Sequence, residues 1–129
     1  MLNHFIRAAS AAAALCIATA ALAAAGAPAS TAQTSKGAAL VDGKGMSLYT
    51  FDNDAGGKSA CNGPCAAIWP PLIAASGSSA AGDWTIVPRD DGTAQWAYKG
   101  HPLYTFTKDG KPGDVSGDGF KNVWRLAKP

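Results

Sequence analysis

The sequence predicts an all-β fold: a small antiparallel meander or barrel of about six strands, built from two repeats, with a short helical turn near a disulfide. Three observations lead to this prediction. Aromatic and β-branched residues are concentrated in short runs separated by glycine-rich turns, which is typical of strands. All nine acidic residues are aspartate, which favours turns, and none is glutamate, which favours helices. The third observation is an internal duplication.

The duplication becomes visible when the chain is shifted by 55 residues. Residues 45–72 then align with 100–127 without a gap, and seven of the 28 pairs are identical. The identical pairs are Gly45/Gly100, Leu48/Leu103, Tyr49/Tyr104, Thr50/Thr105, Phe51/Phe106, Asp54/Asp109 and Trp69/Trp124. Because four pairs are consecutive and rare residue types dominate, we interpret the chain as one β domain, residues 38–129, with repeats at about 38–73 and 94–129.

The chain begins with a predicted secretory signal peptide, residues 1–29. Arg7 precedes a long apolar run made almost entirely of alanine, and small residues of A-x-A type follow. We expect cleavage after Ala25 or Ala29. The mature chain should then be exported to the periplasm or the extracellular space.

No membrane anchor is expected after cleavage, because an alanine run offers little apolar surface. Lipidation at Cys16 is disfavoured, since the bulky Leu15 precedes it where lipoprotein signals carry a small residue. Residues 30–37, rich in Ala, Ser and Thr, are expected to form a disordered lead-in.

The β domain is predicted element by element from its turns. Two hairpins are expected in which a strand leads through a glycine turn into LYTF, one around Gly43 and one around Lys99-Gly100. A third hairpin is expected around Asp90-Asp91-Gly92. The remaining expectations are a helical turn at about 65–69 stopped by Pro70-Pro71, a surface loop at 74–83 and a closing strand at 122–127.

The duplication also predicts how the two repeats pack. The two LYTF strands should be related by an approximate two-fold axis, and Phe51 and Phe106 should both be buried. We expect Trp69 and Trp124 each to pack near the motif strand of its own repeat.

Cys61 and Cys65 are the two cysteines after the signal peptide, and an oxidising compartment favours a disulfide between them. Their C-x-x-x-C spacing differs from the C-x-x-C of thioredoxin-type redox pairs, and zinc would need two further ligands. In the second repeat their positions are taken by Ser116 and Phe120. We expect Phe120 to fill the volume that the sulfur atoms fill in the first repeat.

Two stretches, Y-T-F-D-N-D at 49–54 and Y-T-F-T-K-D at 104–109, fit the pattern Y-x-[FWY]-x-x-D. Together with CNGPCAAIWPPL at 61–72 and GDVSGDGFKNVWRLAKP at 113–129, they resemble the bacterial secreted-repeat family described as predicted lipoproteins with this motif. The resemblance covers residues 38–129 and implies an exported envelope protein, with no particular biochemical activity. The sequence departs from the lipoprotein description only at its signal.

The motif aspartates, Asp54 and Asp109, follow the ends of the LYTF strands. As structural residues they would cap loop amides, or accept a hydrogen bond from a tyrosine hydroxyl or an indole N–H. The alternative is cation binding, because Asp109, Asp114 and Asp118 lie among glycines, although the EF-hand spacing is absent.

Met46 and His101 occupy equivalent positions before the two LYTF strands, and Met with His can ligate copper or haem. No C-x-x-C-H attachment motif is present, and the ligand set is small. A metal- or haem-binding accessory protein of envelope redox chemistry is therefore the alternative function.

The composition argues against several functional classes. Ten cations and nine aspartates follow residue 29, so the net charge of that part is +1, which is too balanced for a nucleic-acid binder. No G-x-S-x-G, P-loop or H-E-x-x-H motif is present, and no catalytic residue is assigned. We expect no enzyme and no cofactor, but a non-enzymatic interaction or structural module with an envelope protein as partner.

Overall fold

The computed structural model describes residues 28–129. Seven strands lie in this range: β1 (Ser30–Thr34), β2 (Gly37–Val41), β3 (Tyr49–Phe51), β4 (Trp84–Pro88), β5 (Ala94–Tyr98), β6 (His101–Pro102) and β7 (Trp124–Leu126). One short helix, α1 (Pro64–Ile68), and a 3-10 turn at Phe120–Asn122 complete it. The all-β prediction is confirmed. Residues 1–27, with most of the predicted signal peptide and Cys16, lie outside the described residues.

The strands form three small antiparallel sheets, β1–β2, β3–β7 and β4–β5–β6. The last of these is the predicted meander, but residues 28–129 form no closed barrel, so that alternative is wrong. The strands are too short for continuous pairing around a barrel, since β6 has only two residues. Proline adds to this, because Pro71 and Pro102 lie at pairing positions without an N–H to donate.

The expected disordered lead-in is wrong for Ser30–Thr34. This segment is β1, and it pairs with β2 in a register that runs from Ser30↔Val41 to Thr34↔Gly37. The Thr34 hydroxyl closes the turn by donating to the Gly37 carbonyl at 2.8 Å. The short polar segment is ordered because β2 supplies a complete set of backbone partners. It also begins the first repeat earlier than the sequence suggested.

The hairpins of the second repeat form as predicted. β4 and β5 pair from Trp84↔Tyr98 to Pro88↔Ala94. Lys99 (φ 50°) and Gly100 (φ 85°) connect β5 to β6, and two left-handed residues are what a two-residue type I′ turn requires. In the first repeat the expected hairpin forms one bridge, Val41↔Ser47, and the Leu48 N–H donates to the Leu40 carbonyl at 3.0 Å.

The two repeats are joined by reciprocal backbone hydrogen bonds. The Tyr49 N–H donates to the Tyr104 carbonyl at 2.8 Å, and the Tyr104 N–H donates to the Tyr49 carbonyl at 3.0 Å. A pseudo-two-fold axis therefore passes between these tyrosines. β3 then pairs with β7 of the second repeat, and Tyr104 pairs with Pro71 of the first. Each motif strand is thus closed by the other repeat.

The core consists of two clusters of buried residues. The larger cluster is aromatic and contains Tyr49, Trp69, Tyr104, Phe106 and Trp124, while a smaller aliphatic cluster contains Leu40, Leu48, Leu103 and Ala127. The predicted helical turn is α1, which ends one residue before Trp69 and two before Pro70. Residues 74–83 form a mainly exposed loop, as expected.

Candidate functional site

The motif tyrosines and aspartates bond to each other across the pseudo-two-fold axis. The Tyr49 hydroxyl donates to Asp109 at 2.6 Å, and the Tyr104 hydroxyl donates to Asp54 at 2.7 Å. Burial, followed by the hydrogen bond to Asp109, raises the pKa of Tyr49; burial likewise raises the pKa of Tyr104. Both hydroxyls therefore stay protonated as donors.

The same carboxylates also hold the loops that follow the motif strands. Asp54 accepts a 2.7 Å hydrogen bond from the Ala60 N–H, and Asp109 accepts a 3.0 Å bond from the Ser116 N–H. Burial raises the pKa of Asp54, although the hydrogen bonds from the Ala60 N–H and the Tyr104 hydroxyl act in the opposite direction. The sequence suggested that a structural aspartate would accept a hydrogen bond from a loop amide or from a tyrosine hydroxyl. Each motif aspartate accepts both. The tyrosine, however, belongs to the other repeat.

Four motif rings form one continuous stack across the axis. Phe51 stacks on Trp124 with centroids 4.2 Å apart, Trp124 on Trp69 at 3.8 Å, and Trp69 on Phe106 at 3.9 Å. Trp69 also meets the edge of Tyr49 in its own repeat at 5.4 Å. Each tryptophan therefore contacts its own motif tyrosine but stacks on the phenylalanine of the other repeat, so the expected packing against its own motif strand is only half right.

The two motif phenylalanines differ in burial. Phe106 is 3% exposed, whereas Phe51 is only partly buried. The ring of Phe106 also contacts Phe120 at 5.3 Å, a neighbour for which the first repeat has only Cys65. The expectation that both rings are buried is therefore wrong for Phe51.

The predicted disulfide is present between Cys61 and Cys65. Cys61 is fully buried, and Cys65 packs against the aromatic cluster. Phe120, at the position equivalent to Cys65, packs against the same cluster and lies 5.7 Å from Trp69. This placement agrees with the interpretation that an aromatic ring replaces the sulfur atoms in the second repeat.

A buried polar network that the sequence did not predict surrounds Arg89, which is 6% exposed. Its guanidinium donates to Gln95 at 2.8 Å, to the Cys61 carbonyl at 2.8 Å and to the Ser59 hydroxyl at 2.9 Å. Ser59 in turn lies 2.6 Å from the Tyr104 hydroxyl. The network ties the disulfide loop to the second repeat. In the sequence, only the arginine and the glutamine on either side of a predicted turn could have indicated this network.

The proposed metal ligands are not brought together. Asp114 accepts from the Gly110 N–H and pairs with Lys111 at 2.8 Å, while Asp118 accepts from the Leu126 N–H. The other candidates are Asp109, which is held by Tyr49; His101, which is exposed; and Met46, which is partly buried. Within residues 28–129 no three or more His, Cys, Asp or Glu side chains are grouped so that they could hold a metal ion.

A groove of about 410 Å³ opens beside the tryptophan pair. Its apolar lining comes from Cys65, Ile68, Trp69, Phe120 and Trp124, and two lysines, Lys108 and Lys121, complete it. No acidic residue lines the groove.

None of the helices in residues 28–129 has the length and apolar character needed to cross a bilayer. Comparison with known proteins adds a family but no individual relative. No curated protein and no solved structure matches the chain. The family described as a secreted repeat of unknown function matches twice, at residues 30–73 and 85–128. The first match begins at β1, and the two matches together cover most of the chain. The chain belongs to this family of secreted repeats.

Proposed function

We propose that the chain is a non-enzymatic interaction or structural module of the cell envelope, located in the periplasm or outside the cell. The observation that carries the proposal is the use of the motif inside the fold. Tyr49, Asp109, Tyr104 and Asp54 direct their polar atoms at one another and at loop amides. A motif used in this way builds a scaffold and leaves no reactive group facing a substrate.

Other features of the chain support the same proposal. His101 is exposed and belongs to no group of three or more potential ligands within the described residues. The Cys61–Cys65 disulfide suits an oxidising compartment, and family membership supports export. The surface feature that suits an interaction role is the groove beside Trp69 and Trp124, where apolar side chains such as Ile68 (46% exposed) face solvent.

One experiment tests the proposal that the module works without a metal or haem. The protein is purified from its own cells, its metal content is analysed and its absorption spectrum is recorded. We expect no stoichiometric iron, copper or zinc and no haem band. A stoichiometric metal or haem would contradict the proposal and favour the accessory role in redox chemistry instead.

Site-specific photo-cross-linking in the producing cells tests the interaction role. A photoreactive residue replaces Ile68 in the groove, or Ile73 as a matched control, because Ile73 is also apolar and 50% exposed but lies outside this groove. A discrete adduct from position 68 and none from position 73 is the expected result. The absence of any adduct from position 68 would contradict the interaction role.

A further inference from the structure

The groove beside the tryptophan pair combines an apolar lining with unpaired positive charge. Lys36, Lys58 and Lys111 each form an ion pair with an aspartate, whereas Lys108 and Lys121 form none within residues 28–129. No acid lines the groove, and the Nζ atom of Lys121 lies over the ring of Phe120, 5.8 Å from its centroid. The groove therefore offers an apolar surface next to two cations.

Both cations come from the second repeat. The positions equivalent to Lys108 and Lys121 in the first repeat are Asn53 and Ala66, which are uncharged. The aromatic stack follows the pseudo-two-fold axis, but these two positive charges have no counterpart in the first repeat. A ligand in the groove therefore meets positive charge from the second repeat only.

The backbone that presents Lys121 is held in an uncommon conformation. Lys121 (φ 49°) and Asn122 (φ 61°) both lie in the left-handed region, although neither is glycine. Their equivalents in the first repeat, Ala66 and Ala67, are part of the regular helix α1. Left-handed non-glycine residues cost free energy, so the surrounding structure holds this turn, and with it Lys121, in a defined conformation.

We infer, building on the proposed interaction role, that this groove binds a small aromatic anion, that is, a ring system carrying one carboxylate or a similar group. The volume of about 410 Å³ falls within the range of roughly 300–1,000 Å³ usual for small-molecule sites. The ring packs on Ile68, Phe120 and the parts of Trp69 and Trp124 that line the groove, since aromatic rings favour offset-stacked or face-to-edge contacts. The anionic group lies between Lys108 and Lys121.

The test uses 2-naphthoate as the probe, with the neutral naphthalene-2-carboxamide of nearly the same shape as its partner. Binding to the whole mature protein is followed by the indole N–H signals in nitrogen–proton NMR spectra. We expect saturable one-to-one shifts at Trp69 and Trp124 and no shift at Trp84 or Trp96. The carboxamide should bind roughly tenfold more weakly, because two exposed ion pairs are lost.

Variants separate charge from shape. The double substitution Lys108→Ala with Lys121→Ala should lower the affinity for naphthoate to that for the carboxamide and leave carboxamide binding unchanged. Lys44→Ala, at another exposed lysine, serves as the matched control and should change neither affinity. Added salt should weaken naphthoate binding alone.

The inference would be overturned by no shift at Trp69 and Trp124, by equal affinity for the two probes, or by naphthoate binding that survives the double substitution. Tighter binding of an acidic aromatic peptide than of naphthoate would also overturn it, because the site would then recognise a polypeptide. If naphthoate fails to bind while position 68 still cross-links in cells, the ligand class is wrong and the interaction module stands.

Discussion

The hydroxyl of Tyr49 donates a 2.6 Å hydrogen bond to Asp109, a carboxylate 60 residues further along the chain. The equivalent bond, from Tyr104 to Asp54, spans 50 residues. Each Y-x-[FWY]-x-x-D motif therefore supplies a donor to one bond and an acceptor to the other. The side chains of the motif fasten the two repeats together, while the bond inside each motif is a backbone bond, from Asp54 N–H to Phe51 and from Asp109 N–H to Phe106.

A double-mutant cycle tests this exchange between repeats. Tyr49→Phe and Asp109→Ala should be coupled in the free energy of unfolding by about 0.5–3 kcal/mol, because both remove the same buried bond. Urea denaturation measures the coupling. Tyr49→Phe combined with Asp54→Ala is the control and should be additive within about 0.5 kcal/mol. Coupling of Tyr49 to Asp54 would show that the motif bonds within one repeat.

Gly117 is required for steric reasons. A Cβ atom there would lie 2.7 Å from Cη2 of Trp69 and 3.0 Å from Cε1 of Tyr49. Gly117→Ala should therefore destabilise the fold by about 1–3 kcal/mol, as overpacking does. Gly43→Ala is the control, since a Cβ atom there meets nothing within 4 Å. Thermal unfolding of the two variants measures the difference, and equal effects would contradict the contact.

The two motif phenylalanines should differ in their contribution to stability. Phe106 is almost completely buried and contacts Trp69 and Phe120, so Phe106→Ala should cost about 3–5 kcal/mol. Phe51→Ala should cost clearly less, because Phe51 is partly exposed and stacks on Trp124 alone. Urea denaturation of both variants decides it, and equal losses would mean that burial is symmetric.

Asp54 and Asp118 should contribute to stability with opposite dependence on pH. Burial raises the pKa of Asp54 above its ordinary 3.8, so just above pH 3.8 the folded chain holds more protons than the unfolded chain. The contribution of Asp54 then falls as pH rises through that window. The Leu126 N–H lowers the pKa of Asp118, whose contribution is lost as pH falls below 3.8.

Urea denaturation between roughly pH 3 and 6 measures these contributions as differences from the unmodified chain. The Asp54→Asn variant should gain stability relative to the unmodified chain as pH rises above 3.8. The Asp118→Asn variant should lose relative stability as pH rises toward 3.8 from below. If the two stability differences changed with pH in the same direction, the assignment would be contradicted.

The disulfide should stabilise one loop and not the whole fold. Replacing both Cys61 and Cys65 with serine should lower the free energy of unfolding by about 2 kcal/mol, because the loop it closes is short. The variant should keep its β circular dichroism. A variant that cannot fold would mean that Cys61, which is fully buried, has a larger role in the core.

The parts of the fold that the sequence predicted well depend on local signals. The β4–β5 hairpin follows from its turn residues, the end of α1 from Pro70, and the disulfide from two neighbouring cysteines in an exported chain. In each case the information lies within a few residues, so tertiary context was not needed.

The parts that the sequence did not predict depend on distant partners. The sequence does not show whether Trp69 stacks on Phe51 or on Phe106, because both phenylalanines end an identical LYTF run. β1 is polar and becomes a strand only because β2 is beside it. Arg89 resembles a surface residue until Ser59, Gln95 and a loop carbonyl surround its guanidinium.

The pairing of β3 with β7 has a consequence for the order in which the chain can fold during export. A polypeptide that leaves a translocation channel amino terminus first exposes β3 more than 70 residues before β7 emerges. Until then Tyr49 has no Asp109 and Phe51 has no Trp124, so the first repeat cannot close its core. Distant contacts of this kind slow folding. In a chain released in this order, the first repeat completes its core only after β7 has emerged.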